Sequence, residues 1–222
     1  MKKLVMLLLF VPLVSFGQEF KYQNNIMSVV FEVDSTSASE IHSRALSAIA
    51  NMYNSANNVI QLNDKESNKL VIKSKSSIVI DNPVKLMYPK NKYITSGWEI
   101  FFSNTINIDS KDNRYRIVYS VSNPEYDAGT YGRMPFDGER FFIFEPSEKT
   151  KIDEYIDEQL NKSGMGIIGK KKKALYATAL EKMPENIVLK LKENAKSISL
   201  FVNDAIQQKS ALESNSILND DF

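Results

Sequence analysis

The stretch Trp98–Val121, WEIFFSNTINIDSKDNRYRIVYSV, decides the architecture of this chain. Trp98, Ile100, Phe102, Ile106 and Ile108 occupy every second position, interrupted only by Asn104. Alternation of this kind marks a strand with one buried face. Asp109–Asn113 is a hydrophilic turn. Arg114–Val121 then returns with Tyr115, Ile117, Tyr119 and Val121 on one side and Arg114, Arg116, Val118 and Ser120 on the other. Two alternating runs across a short polar turn read as a hairpin.

Working outward, Met27–Val33 is a further strand, with Met27, Val29, Phe31 and Val33 on one face. Asp34, Ser35, Thr36 and Ser37 follow, a cluster suited to capping a helix, because their side-chain oxygens accept from its free N–H groups. The helix spans Ala38 to Asn54, with Ile41, Ala45, Ile49 and Met52 at three- and four-residue spacing. Val59–Leu62 is a short strand, Asn63–Asn68 a polar turn, and Lys69–Lys73 a strand that extends toward Ile80. Asp81–Ser96 contains two prolines and reads as a loop. The expected fold class is therefore α+β: an antiparallel sheet of four or five strands with one helix packed across it. Val30, Val71, Phe101 and Val118 fall on the face away from that helix. A bare apolar patch there is a liability, so the helical tail, the aromatic loop or a second subunit is expected to cover it.

Downstream, Asn123–Glu145 reads as a long loop with one added strand at Arg140–Phe144. Its aromatic residues Tyr126, Tyr131, Phe136, Phe141 and Phe142 have two readings. They form a partner surface, since aromatic side chains supply binding area, or they cap the sheet and seat the tail. Three helical segments follow: Thr150–Leu160, Lys170–Met183, and one opening at Pro184, which suits a first helical turn. The last carries Ile187, Leu191, Ala195, Ile198, Val202 and Ala205 on one stripe. The division is 1–17 leader, 23–123 α+β domain, 124–149 aromatic loop and 150–222 helical extension.

The segments VIQLNDKESNKLVIK (Val59–Lys73) and Trp98–Val121 together resemble domain-of-unknown-function family 4468. The strand, acidic polar turn and K-L-x-x-K run carry the resemblance, with the D-x-x-x-x-R-Y-R hairpin. It covers Gln23 to about Asn123. The resemblance implies a TBP-like fold and exported proteins of the Bacteroidota, and carries over no catalytic or binding residue. Fold does not bring function with it. Nucleic-acid binders draw their affinity from neutralised phosphates and show a basic excess. Here two of the 28 basic residues lie in the leader, which leaves 26 against 27 acidic ones, so no nucleic-acid partner is expected.

The leader is Met1–Gly17. Lys2 and Lys3 precede the apolar run Leu4–Val14, and Ser15 and Gly17 place small residues before a cut at Gln18. That is the layout of a secretory signal peptide. A spanning helix needs about 20 apolar residues, so no transmembrane span is expected after cleavage, and the protein is expected in the periplasm or secreted. With no cysteine in the chain there is no lipid attachment site, no disulfide framework, and no thiolate nucleophile or cysteine-bound metal.

The remaining motifs favour structure over chemistry. Gly164–Gly169 (GMGIIG) matches G-x-G-x-x-G and precedes Lys170–Lys173. A dinucleotide site requires a strand before it, and IDEYIDEQLNKS is helical, so the glycines read as a hinge. The lysines are a solvated run or a contact for an anionic headgroup or polysaccharide. His42, the only histidine, lies on the helix flank with no nucleophile motif. Asp153, Glu154, Asp157 and Glu158 crowd one helix and read as a solvated face. Asp109, Asp112 and Asn113 lack calcium-loop spacing. No cofactor, metal or catalytic residue is assigned. The expected function is a non-enzymatic exported binding or envelope-associated module with a protein or glycan partner. The alternatives are a carboxylate hydrolase of envelope or extracellular polymers, and a structural partner dimerising through the last helix at Ile198 and Val202.

Overall fold

The computed structural model describes residues 19–53, 55–127, 132–136, 149–162 and 165–216, with side chains placed to residue 208 of the last helix. The leader therefore lies outside the described residues.

Strands β1 (Lys21–Gln23) and β2 (Ile26–Glu32) form a hairpin absent from the sequence expectation. Its two turn residues, Asn24 and Asn25, both have positive φ, 47° and 63°. Two-residue hairpins favour this left-handed pair, and asparagine tolerates it better than most residues. Helix α1 (Ala38–Met52) begins where the polar cluster places it, with Ser37 Oγ accepting from the Glu40 N–H at 3.2 Å. After a single helical turn, α2 (Ala56–Val59), come β3 (Ile60–Asp64) and β4 (Lys69–Asp81). The loop reading of Asp81–Ser96 is corrected by a short helix, α3 (Pro83–Met87). Its local cause was readable: Asn82 Oδ1 accepts from the Val84 N–H at 2.9 Å, and Pro83 opens the helix, where its missing N–H costs nothing.

The central hairpin is β5 (Gly97–Lys111) and β6 (Arg114–Asp127), longer than the sequence reading at both ends. Its tip, Asp112–Asn113, docks against the start of α1. The Ala38 N–H donates to Asp112 Oδ1 at 2.8 Å and the Thr36 N–H to Asn113 Oδ1 at 3.1 Å. Strand β7 (Arg133–Pro135) pairs with β6. The expected strand at Arg140–Phe144 lies outside the described residues. Among the described residues the sheet has seven strands, all antiparallel, in the order β1-β2-β6-β5-β4-β3 with β7 beside β6. It exceeds the expected four or five because β1 and β7 are three-residue strands, too short for periodicity to reveal.

Helix α4 (Lys149–Asn161), one 3₁₀ turn (Met165–Ile167) and helix α5 (Lys170–Ser216) complete the fold. Two expected helices are one: α5 runs through Pro184. Proline inside a helix costs about 3 kcal/mol. Leu180, Met183, Ile187 and Leu191 flank it, and all are buried in the main core. Burying one such side chain contributes about 1.5–3 kcal/mol, so packing on both sides outweighs the break.

That core lies between the sheet and two helices. Met27, Phe31, Ile72, Ile106 and Ile117 face it from the sheet, Ile41 and Ile49 from α1, and Ile187, Leu191 and Val202 from α5. Arg44 Nη1 on α1 donates to the Ile206 carbonyl at 3.2 Å, and Tyr115 Oη donates to Asn203 Oδ1 at 3.0 Å. Of the tail, the aromatic loop and a second subunit expected to cover the second sheet face, the described part of the tail lies on the opposite face. Helix α5 lies beside α1, because both apolar stripes are satisfied by the same larger apolar face.

Candidate functional site

With α1 and α5 on one side, strands β2, β6, β5 and β4 present their other side chains outward. Strand registers align these in rows. Lys75, Ser103 and Ser122 form one row, and Lys73, Thr105 and Ser120 the next. Then come Val71, Asn107 and Val118, and finally Lys69, Asp109 and Arg116. The open face is thus mostly hydroxyl, amide and ammonium. Its apolar members are scattered: Val30 is 48% exposed, while Val71, Phe101 and Val118 are half-buried among polar neighbours. Phe101 is sheltered by the Arg133 guanidinium, 3.7 Å from the ring centroid. Such stacking is favourable because the cation meets the negative ring face.

The charges of this face are unevenly matched. Asp109 takes Arg116 at 2.8 Å and Lys69 at 3.9 Å. Glu99 accepts from Ser77 Oγ at 2.7 Å. Lys73 and Lys75 have no carboxylate partner among the described residues. They line a depression of about 500 Å³ with Ser103, Thr105 and Ser122, walled at the sheet edge by Asn58 and Gln61.

Two β-bulges flank this depression. On one side the β5–β6 register shifts between Phe101 and Ser103, and Asn123 adopts φ 51° before Pro124. On the other, the β3–β4 register shifts at Gln61. Bulges bend the strand that carries them and often lie next to functional sites. Behind the floor, on the core face, Asn104 is fully buried. Its Oδ1 accepts from Ser74 Oγ, and its Nδ2 donates to Ser76 Oγ at 2.7 Å and Tyr119 Oη at 3.4 Å. Tyr53 Oη meets Ser74 Oγ at 2.8 Å. A satisfied buried network of this kind holds backbone rigidly. Burial raises the Tyr119 hydroxyl above its ordinary pKa, and the Asn104 hydrogen bond opposes part of that rise. Tyr119 therefore serves as a neutral hydrogen-bonding group.

Of the aromatic set, Tyr126 and Phe136 are described and Tyr131, Phe141 and Phe142 lie outside the described residues. Tyr126 ends β6 and sits 6.3 Å from Trp98 and 6.5 Å from Phe136. Phe136 is 6% exposed and belongs to the core. Both pack at the sheet end, Phe136 buried and Tyr126 half-buried. His42 is 4% exposed, with Nε2 2.8 Å from Asn63 Oδ1, so it ties α1 to β3. Asp153, Glu154, Asp157 and Glu158 are all exposed on α4. Gly166 and Gly169 lie in the connection between α4 and α5, and a helix precedes it. Among the described residues no three His, Asp or Glu side chains converge to hold a metal ion. No helix among them is long and apolar enough to cross a membrane.

The reading of the sequence missed the Lys73–Lys75 depression. Its signal was the alternation KLVIKSKSS (Lys69–Ser77), which places lysines and serine on one face of a strand. Only the register with β5 and β6 adds Ser103, Thr105 and Ser122 to them.

Comparison with known proteins places the first part of the chain. Residues 28–127 match the model of a domain of unknown function (DUF4468) with TBP-like fold. A DUF4468 family protein from Bacteroides ovatus ATCC 8483 is 10% identical with a TM-score of 0.46, covering 82% of this chain and 85% of that one. A TBP-like protein from Parabacteroides distasonis ATCC 8503 is 17% identical with a TM-score of 0.36, covering 81% and 97%. No curated protein matches the chain.

Proposed function

Since residues 28–127 form a DUF4468 domain of TBP-like fold, we propose that the protein is an exported, non-catalytic binding module and that the open sheet face is its contact surface. One observation carries this reading. Both long helices stack on one side of the sheet, and among the described residues no helix covers the other side, which is lined by groups that hydrogen-bond. A sheet that buries one face can offer the other to a ligand without losing its core. The bulges and the Asn104 network make this surface concave and rigid, and preorganised surfaces lose less on binding. Export follows from the reading of Met1–Gly17.

A carboxylate hydrolase would need two carboxylates across a cleft, one acting as acid and one as base or nucleophile. Two acids on the open face have partners of their own: Asp109 with Arg116, and Glu99 with Ser77. The binding reading is therefore preferred.

The test is a photo-crosslinking amino acid at Thr105, compared with one at Ser47, which is exposed on α1. In intact cells the Thr105 probe is expected to give discrete adducts and the Ser47 probe none. Identical products from both positions, or none from Thr105, would refute the open face as the contact surface.

A further inference from the structure

Resting on the open face as contact surface, we infer that the depression around Lys73 and Lys75 binds an anionic oligosaccharide, one bearing carboxylate or sulfate groups. The two lysines stand two residues apart on β4. Strand geometry separates them by about 7 Å, at roughly 3.3 Å per residue. Each ammonium offers three donors and accepts nothing. Neither has a carboxylate partner among the described residues, while neighbouring Asp109 is occupied by Arg116 and Lys69. The centre of the face is thus locally cationic although the chain is nearly neutral. A concave site lined by one sign of charge concentrates the opposite sign.

The rest of the lining narrows the class. Ser103, Thr105 and Ser122 present hydroxyls, and Asn58 and Gln61 present amides. These groups donate and accept, as sugar hydroxyls do. Among the described residues no aromatic ring lines the depression. Single-stranded nucleic acid needs stacking platforms and a longer basic track. Hydrogen bonds to a neutral sugar replace equivalent bonds to water and gain little by themselves, so charge supplies the attraction. An extended acidic peptide adds to a sheet edge through backbone pairing, whereas this depression presents side chains on a sheet face.

The test uses the whole mature protein and two probes, an oligogalacturonate and a sulfated galactan oligomer. Each is compared with its neutral counterpart, the methyl ester and the unsulfated galactan, by isothermal titration calorimetry. At least one charged probe is expected to bind, the neutral forms to bind at least ten-fold more weakly, and added salt to reduce affinity. The double variant K73Q/K75Q is expected to lose at least ten-fold in affinity, while K170Q/K171Q on α5 retains wild-type binding. Circular dichroism confirms that both variants fold. Which charged probe binds distinguishes carboxylate from sulfate. Binding by neither probe, or equal binding by the two double variants, overturns the inference. Thr105 crosslinks that persist in K73Q/K75Q would uphold the open face while overturning the ligand class. Absence of Thr105 crosslinks would overturn both.

Discussion

Ile106 and Thr105 are adjacent on one strand and differ in almost every physical respect. Ile106 is fully buried between the sheet and its helices, whereas Thr105 lies on the open face between Lys73 and Ser120. The two faces of the sheet are built from the same strands and the same registers. One is a continuous apolar layer that two helices share. The other is a mosaic of hydroxyls, amides and charges broken by single apolar residues. The buried and the solvent-facing layers are thereby separated by one peptide unit, and single apolar substitutions on one face should differ in cost from substitutions on the other.

The sharpest challenge to this division is Val202→Asp on α5. Val202 is fully buried against the protein's own core, so the substitution places an unpaired charge there. A loss of about 4 kcal/mol or more is expected, read as a large fall in the urea midpoint or as failure to fold. A wild-type dimer becoming a stable folded monomer would instead show the stripe to be an intersubunit surface. Next, Ile106→Ala should cost about 2–5 kcal/mol by leaving a cavity. Thr105→Ala on the same strand should cost less than about 1 kcal/mol. Paired urea titrations test both, and comparable losses would refute the contrast between faces.

A fourth substitution probes the polar exception on the buried side. Asn104→Ala removes the partner of Ser74, Ser76 and Tyr119 at once. A cost of about 1–3 kcal/mol is expected, with added mobility at Ser103 and Thr105 in amide relaxation. Unchanged relaxation would mean that the network does not hold the floor of the depression.

The smallest effect belongs to the β3–β4 turn. The hydrogen bond from the Ser67 hydroxyl, with those from backbone N–H groups, lowers the Asp64 pKa below the ordinary aspartate value. A carboxyl with a lower pKa in the folded state contributes stability above its unfolded pKa and loses it as pH falls through the folded one. The carboxylate lies in a solvent-facing turn and is at most half-buried, so the change is small and confined to acid. Nuclear magnetic resonance titration should place Asp64 below a reference aspartate, and Asp64→Asn should flatten that part of the acid stability profile.

Much of the sheet was legible. The alternation of Trp98–Val121 located the central hairpin, and the Ser37 cap located α1, because each depends on local geometry alone. The polar interruption at Asn104 was visible, but its meaning was not. It needs Ser74 and Ser76 from β4 and Tyr119 from β6, which only strand register brings together. Pro184 was read as a helix start because the intrinsic preference points there. Burial of Leu180 and Met183 before it, and Ile187 and Leu191 after it, overrode that preference. The depression at Lys73 and Lys75 was likewise invisible. Its lining comes from four separate segments, with bulges at Gln61 and Asn123 on either side.

The sequence alone determined that this chain forms an antiparallel sheet with amphipathic helices, since periods of two and of about 3.6 residues are local properties of the backbone. It also carried the resemblance to the family whose model matches residues 28–127, through the turns and strand faces of Val59–Lys73 and Trp98–Val121. Only the tertiary structure decided which sheet face the last helix covers. An amphipathic stripe states that a helix must bury one side but not against what. Both sheet faces carried apolar residues. The denser one, with Phe31, Ile106 and Ile117, offered more area to remove from water, and it took both helices. The lysines and hydroxyls of the other face were left to solvent.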